Sequence, residues 1–228
     1  MAFITQDTKL IDCSPRQHAS GSSCGESYRE LLLVEGDSAS KSVARVRDQR
    51  FQAVLPMQGK PMNATKASDT AVRKNRWFAA LIDSLGAGWY AEDLADLRYD
   101  RVLFLFDPDA DGIHCGALML MFFDIYLRPL LDSNRVSLIK PPLFEIRAEG
   151  YKDCLHAFSE DHLRKIQEAL SAKKINHSHH RYRGLASLND RTLQENCVDP
   201  DSRTAHLLQH DDAVHAKSVF GPRPVRTL

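Results

Sequence analysis

Apolar residues in this chain gather in short unbroken runs, separated by longer stretches of mixed character. Leu31 to Val34, Phe51 to Leu55, Val102 to Phe106 and Val136 to Ile139 have the length and composition of buried strands. Pro56 closes the second run. Between the runs lie helical spacings. Ser38 is placed to cap a helix from Ala39 to about Arg47. An amphipathic helix fits Thr70 to Leu85, stopped by Gly86 and Gly88. Asp93 to Asp96 reads as a turn of helix, and Gly116 to Leu131 as a long buried helix distorted near Pro129. Strands alternating with helices predict an α/β fold, a mainly parallel sheet flanked by helices. Beyond Tyr151 the pattern changes: a helix over Leu163 to Leu170, a His- and Lys-rich exposed loop over Lys173 to His180, then a polar end. Residues 1–27 are polar and irregular, with a Ser/Gly cluster from Ser20 to Ser27, and read as an arm or linker.

Composition narrows the class. A hydrophobic content of 43% supports a real core. Thirty Lys and Arg balance thirty Asp and Glu, so a globally basic footprint for nucleic acid is excluded and any such surface is a local patch. The five cysteines are scattered without a CxxC pair, which predicts reduced thiols in a cytoplasmic protein. The first residues lack the apolar core of an export signal, and no apolar run reaches membrane-spanning length. No membrane partner is expected.

The candidate chemistry lies at the end of the third apolar run. Asp107, Asp109 and Asp111 alternate there and are followed by Gly112. Crowded carboxylates repel unless a cation neutralises them, and hard oxygen ligands suit Mg²⁺, which keeps part of its shell for water or phosphate. An EF-hand is excluded: the twelfth residue counted from Asp107 is Leu118, not Glu, and a strand rather than a helix precedes. A phosphatase with an aspartyl nucleophile is a rival, though its pattern would carry Thr or Val in place of Asp111. A solvated acidic turn is the plainest alternative. Ligands of parallel sheets sit outside the strands' carboxyl ends. If the first and third runs are neighbours, Glu35 therefore joins the aspartates. Taken alone, Glu35 reads as a surface residue; Gly36 and the helix start beyond it bring the functional reading level with that one. His177, His179 and His180 lack a cysteine or acid at zinc spacing and read as exposed.

Several segments resemble, in order, the Toprim domain and adjoining tail of the B-type chain of type IIA DNA topoisomerases. They are Lys9-Leu10-Ile11-Asp12-Cys13, Leu33 to Ala39 with Glu35-Gly36-Asp37-Ser38, and Gly59-Lys60-Pro61-Met62-Asn63. Asp107 to His114, Lys140 to Phe144, Arg181-Tyr182-Arg183-Gly184-Leu185 and Asp199 to Arg203 follow. The resemblance implies a Toprim, Rossmann-like fold, divided into an arm over 1–28, a Toprim domain over 29–147 and a tail over 148–228. It implies Mg²⁺ beside a scissile phosphate, with Glu35 and Asp107 holding a first ion, Asp107 and Asp109 a second, and Asp111 assisting. Lys60 and Asn63 match positions that touch DNA, and Arg181 and Arg183 would help clamp DNA or the partner. Lys60 alone would read as a solvated surface lysine. The implied partners are double-stranded DNA, an A-type subunit carrying the nucleophilic tyrosine, and a separate ATPase subunit. The location implied is the cytoplasm, at the nucleoid.

There are departures. No Gly-rich ATP-binding segment is visible, so ATP is not expected to bind this chain. Tyr182 belongs to the tail motif and is not proposed as nucleophile. Ala39-Ser40-Lys41 replaces the family's Ala-Gly-Gly, Gly184-Leu185-Ala186-Ser187-Leu188 loses an acid, Phe106 and Pro108 replace smaller residues, and the end near Phe220 to Pro224 looks shortened. Three functions follow as expectations: the Mg²⁺-dependent cleavage–religation part of a type IIA topoisomerase, a non-catalytic DNA- or partner-binding Toprim module, or a metal-dependent Toprim nuclease.

Overall fold

The computed structural model describes residues 9–14, 28–90 and 94–222. A sheet is built from β1 (Glu30–Glu35), β2 (Gln52–Met57), β3 (Arg101–Leu105), β4 (Val136–Ile139) and β8 (Ala205–Leu207), in the order β2-β1-β3-β4-β8. The first four are parallel and β8 is antiparallel to β4. The α/β architecture expected from the apolar runs is present.

Side chains alternate across a strand, and both faces here are covered. Leu31, Leu33, Val102 and Phe104 point into a core shared with α2 (Asp69–Lys74), α3 (Arg76–Leu85), α4 (Ala110–Tyr126), α5 (Arg128–Asp132) and α8 (His210–Phe220). Leu32, Val34, Leu103 and Leu105 point into a second core under α1 (Gly36–Val46), α7 (Asp190–Leu193) and the stretch Leu185 to Leu188. A three-stranded antiparallel sheet, β6 (Leu155–Ala157), β5 (Phe144–Ala148) and β7 (His177–Arg181), packs with α6 (Glu160–Ala172) around a third cluster.

Several expected boundaries move, each for a local reason. α1 starts at Gly36, so Ser38 lies inside its first turn and Glu35 takes the cap position without a side-chain cap bond. β2 runs through Pro56, tolerated because β2 is the outermost strand of its sheet. The helix expected over Thr70 to Leu85 breaks at Asn75, whose side-chain oxygen accepts from Trp77 N and Phe78 N and restarts the chain as α3. α4 begins at Ala110 rather than Gly116 because Asp109 caps it. Its end at Tyr126 comes ahead of Pro129, which sits early in α5. Of the turn expected at Asp93 to Asp96, residues 91–93 lie outside the described set and Leu94 to Asp96 form no helix. The His-rich stretch is not a loop: His177 to Arg181 pair antiparallel with β5, and that pairing overrides their weak strand propensity. In the arm, Ile11 bridges Val54 along the outer edge of β2. The Ser/Gly cluster and residues 223–228 lie outside the described residues.

Candidate metal and phosphate site

β1 and β3 are hydrogen-bonded neighbours with Val34 opposite Leu105, so Glu35 and the residues that follow Leu105 leave the sheet side by side. Asp109 then caps α4, its Oδ1 accepting from Gly112 N at 2.9 Å. This cap folds the backbone back on itself. A Cβ on residue 112 would lie 2.0 Å from the Asp107 carbonyl oxygen, so only glycine fits behind the aspartates. The tail motif closes the site from the other side. Leu185 N donates to Asp107 Oδ1 at 2.8 Å, and a Cβ on residue 184 would lie 2.6 Å from Asp107 Oδ2.

The charges at this edge are only partly balanced: of the four carboxylates, Asp111 alone pairs with a cationic side chain among the described residues. Glu35 Oε2 is buried with no hydrogen-bond partner. Burial pushes the Glu35 carboxyl above its ordinary range, and repulsion from Asp107, Asp109 and Asp111 adds to it. Asp107 is also pushed up, by burial first and by Asp109, against the lowering effect of the Leu185 amide. Asp111 behaves differently. Lys60 Nζ lies 2.9 Å from its Oδ1 and holds it below the usual carboxylate range. Among the described residues no group of three or more His, Cys, Asp and Glu side chains forms a ready-made metal cage. The donor set is anionic, oxygen-only and open. It fits a hard cation such as Mg²⁺, which binds through one or two carboxylates and completes its shell with water and phosphate.

The other predicted residues divide. Lys60 is exposed beside Asp111 at the mouth of the site. Asn63 faces inward: its Oδ1 accepts from Thr65 N and Oγ1, and its Nδ2 donates to the Phe220 carbonyl at 2.9 Å. A DNA contact by Asn63 would require these bonds to be exchanged. Arg181 lies on exposed β7, paired with Glu160 at 3.3 Å, and Arg183 is exposed just before the Gly184 contact. Tyr182 is buried, its hydroxyl donating to Glu145 at 2.8 Å. Sequence reasoning missed the Leu185 amide, the Lys60–Asp111 pair and the contact of Phe220 with His114. The Gly-Leu of the tail motif was the one available signal for the first of these.

The family of the Toprim domain matches residues 30–141. The DNA gyrase B chain of Archaeoglobus fulgidus is 35% identical over 219 residues, 96% of this chain and 32% of that protein. The chain is a Toprim-containing, type IIA topoisomerase B-like chain. Its Toprim domain and tail are also similar to the DNA gyrase B chain of Thermotoga maritima, 36% identical over 213 residues, 93% of this chain and 32% of the relative. The DNA topoisomerase 4 B chain of Bacillus subtilis is 36% identical over 193 residues, 82% of this chain and 29% of the relative. The chain thus spans about a third of the length of the curated relatives it matches. Among the described residues no helix is long and apolar enough to cross a membrane.

Proposed function

We propose that this Toprim chain forms the metal- and DNA-binding part of a type IIA topoisomerase cleavage–religation centre. It would act on double-stranded DNA with an A-type subunit supplying the tyrosine, and with a separate ATPase unit, in the cytoplasm at the nucleoid. The observation that carries the reading is Glu35: a buried, unpartnered carboxylate oxygen pushed up by burial and by three neighbouring aspartates, at the one strand edge the Toprim resemblance singles out. Such a group is costly unless a cation joins it.

In this reading Glu35 and Asp107 hold one Mg²⁺, Asp107 and Asp109 a second, and Asp111 assists. Bound there, Mg²⁺ would stabilise charge on the phosphate and its leaving oxygen. The protein's own part is orientation. The Leu185 amide fixes the Asp107 rotamer, and the α4 cap fixes Asp109. Lys60, already charged beside Asp111, offers a point charge to a phosphate that competes for it. Arg181 and Arg183 extend a local basic surface for DNA or the partner. The domain division into arm, Toprim domain and tail at 28 and 147 belongs to this proposal.

The test is Mg²⁺ calorimetry on the natural chain and Asp107→Ala, joined to plasmid cleavage with and without an A-type subunit. Binding lost on substitution, and cleavage that requires the partner, support the reading. Mg²⁺ binding unchanged by Asp107→Ala sinks the metal assignment. Absence of cleavage with the partner favours a binding module, and cleavage by the chain alone favours a nuclease.

A further inference from the structure

Phe220, the last residue of α8, touches two separate parts of the acidic edge. Its carbonyl accepts from Asn63 Nδ2 at 2.9 Å, across 157 residues of sequence. Its ring stacks on His114 of α4, with centroids 4.6 Å apart and planes at 18°. Asn63 is in turn the hub of the loop that carries Lys60. Its side-chain oxygen holds Thr65 N and Oγ1, and its carbonyl accepts from Lys66 N and Ala67 N, each at 3.1 Å. Lys60 lies three residues before Asn63, a span of at most about 11 Å fully extended, and Pro61 stiffens the span. Asp111 lies less than one helical turn before His114. One residue therefore braces both sides of the Lys60–Asp111 pair.

We propose that Phe220 is a positioning residue of the Toprim site, tying the Lys60 loop to the aspartate helix, with Asn63 as the strut between them. The proposal rests on the DNA-binding role of Lys60 given above. The brace has a firm base. α8 buries Ala213 and Ala216 in the main core, and its Lys217 and His210 grip buried Asp124 of α4. Asn63 therefore serves the DNA surface from behind, by holding Lys60 at the mouth of the site.

The experiment has two readouts. The first is amide hydrogen exchange of Thr65, Lys66 and Ala67 in the natural chain, Phe220→Ala, Phe220→Tyr and Asn63→Asp, which needs neither metal nor DNA. Faster exchange in Phe220→Ala and Asn63→Asp, restored in Phe220→Tyr, is expected. Unchanged exchange overturns the brace. The second is binding of a labelled duplex over a salt series, adding Lys60→Ala, the double variant Lys60→Ala/Phe220→Ala, and Leu163→Ala in the separate α6 cluster as a control for general destabilisation. Phe220→Ala, which removes the ring stacked on His114 and keeps the main-chain carbonyl, is expected to weaken binding about fivefold, the size of one aromatic contact, and to lower the salt slope toward that of Lys60→Ala. Asn63→Asp is read by exchange alone, since its new carboxylate repels DNA whether or not the brace holds. The double variant should be no weaker than Lys60→Ala alone, and Leu163→Ala should bind as the natural chain does. Fully additive losses, or natural affinity in Phe220→Ala, overturn the positioning role. A natural chain that binds no DNA overturns the functional reading, and the exchange experiment still decides the brace.

Discussion

At the scale of single residues, the site is shaped by close approach. Asp107 is boxed in by backbone on two sides: the Gly112 turn beneath its carbonyl and the Gly184-Leu185 segment against its carboxylate. Gly184→Ala would push a methyl group into Asp107 Oδ2. Overpacking of this kind costs about 1–3 kcal/mol. The expected outcome is a lower melting temperature together with weakened Mg²⁺ binding; natural Mg²⁺ affinity in this variant would mean that the carboxylate is free to move. Glu35 carries the opposite expectation. Its Oε2 is buried without a partner and faces like charges, so Glu35→Gln should raise the melting temperature in chelator while weakening Mg²⁺ binding. A lower melting temperature in chelator would show that contacts inside the protein already offset the cost of the carboxylate.

At the scale of elements, α4 organises the molecule. Beyond its polar first turns it is apolar all round, with Leu118 to Phe123 buried, as a helix packed on several sides must be. Phe122 stacks on Phe78 of α3 at 4.0 Å. The acid near the far end of α4, Asp124, has a side chain only 2% exposed and receives Lys217 and His210 from α8 and Arg128 from α5. Burial works to raise the Asp124 carboxyl, but hydrogen bonds from Lys217 and His210 outweigh it and hold the group below its ordinary range. A carboxylate so lowered binds fewer protons folded than unfolded. Its stabilisation is present above an unfolded value of about 4 and disappears as the pH falls through the lower folded value. Asp124→Asn should cost about 1.5–3 kcal/mol at neutral pH and flatten the acid limb of a stability–pH profile from urea unfolding. An acid limb unchanged by the substitution would refute the clasp.

At the scale of the whole molecule, the tail is pinned to the far end of the sheet from the acids. Arg203, its side chain only 4% exposed, pairs through both terminal nitrogens with the fully buried Glu30. Gln52 and Tyr28 complete the shell of that carboxylate, and the Val198 carbonyl accepts from both Gln52 and Arg203. Removing one partner of a buried pair leaves a buried charge, so Arg203→Ala should cost about 3–5 kcal/mol in urea unfolding. Arg191→Ala, which breaks only exposed pairs with Asp153 and Glu195, should stay within about 0.5 kcal/mol. Equal losses at the two arginines would contradict this account.

The sequence alone determined the parallel strands and the acidic edge, for a local reason. Leu31 to Val34 and Val102 to Phe106 are apolar enough to be buried on both faces, and each is followed at once by its carboxylates, so burial of the strand delivers the acids. Order among motifs was equally legible, since it is written along the chain. Position in space was not. Nothing local in His177 to Arg181 demands a strand; β5 supplies the partner. Nothing local turns Asn63 away from solvent; the Phe220 carbonyl, 157 residues on, supplies the acceptor. Lys60 meets Asp111, and Leu185 meets Asp107, only because loops from different strands converge on one edge. Hydrophobic periodicity acts over a few residues and is read directly, whereas hydrogen bonds and ion pairs between distant segments exist only once the core has brought their partners together.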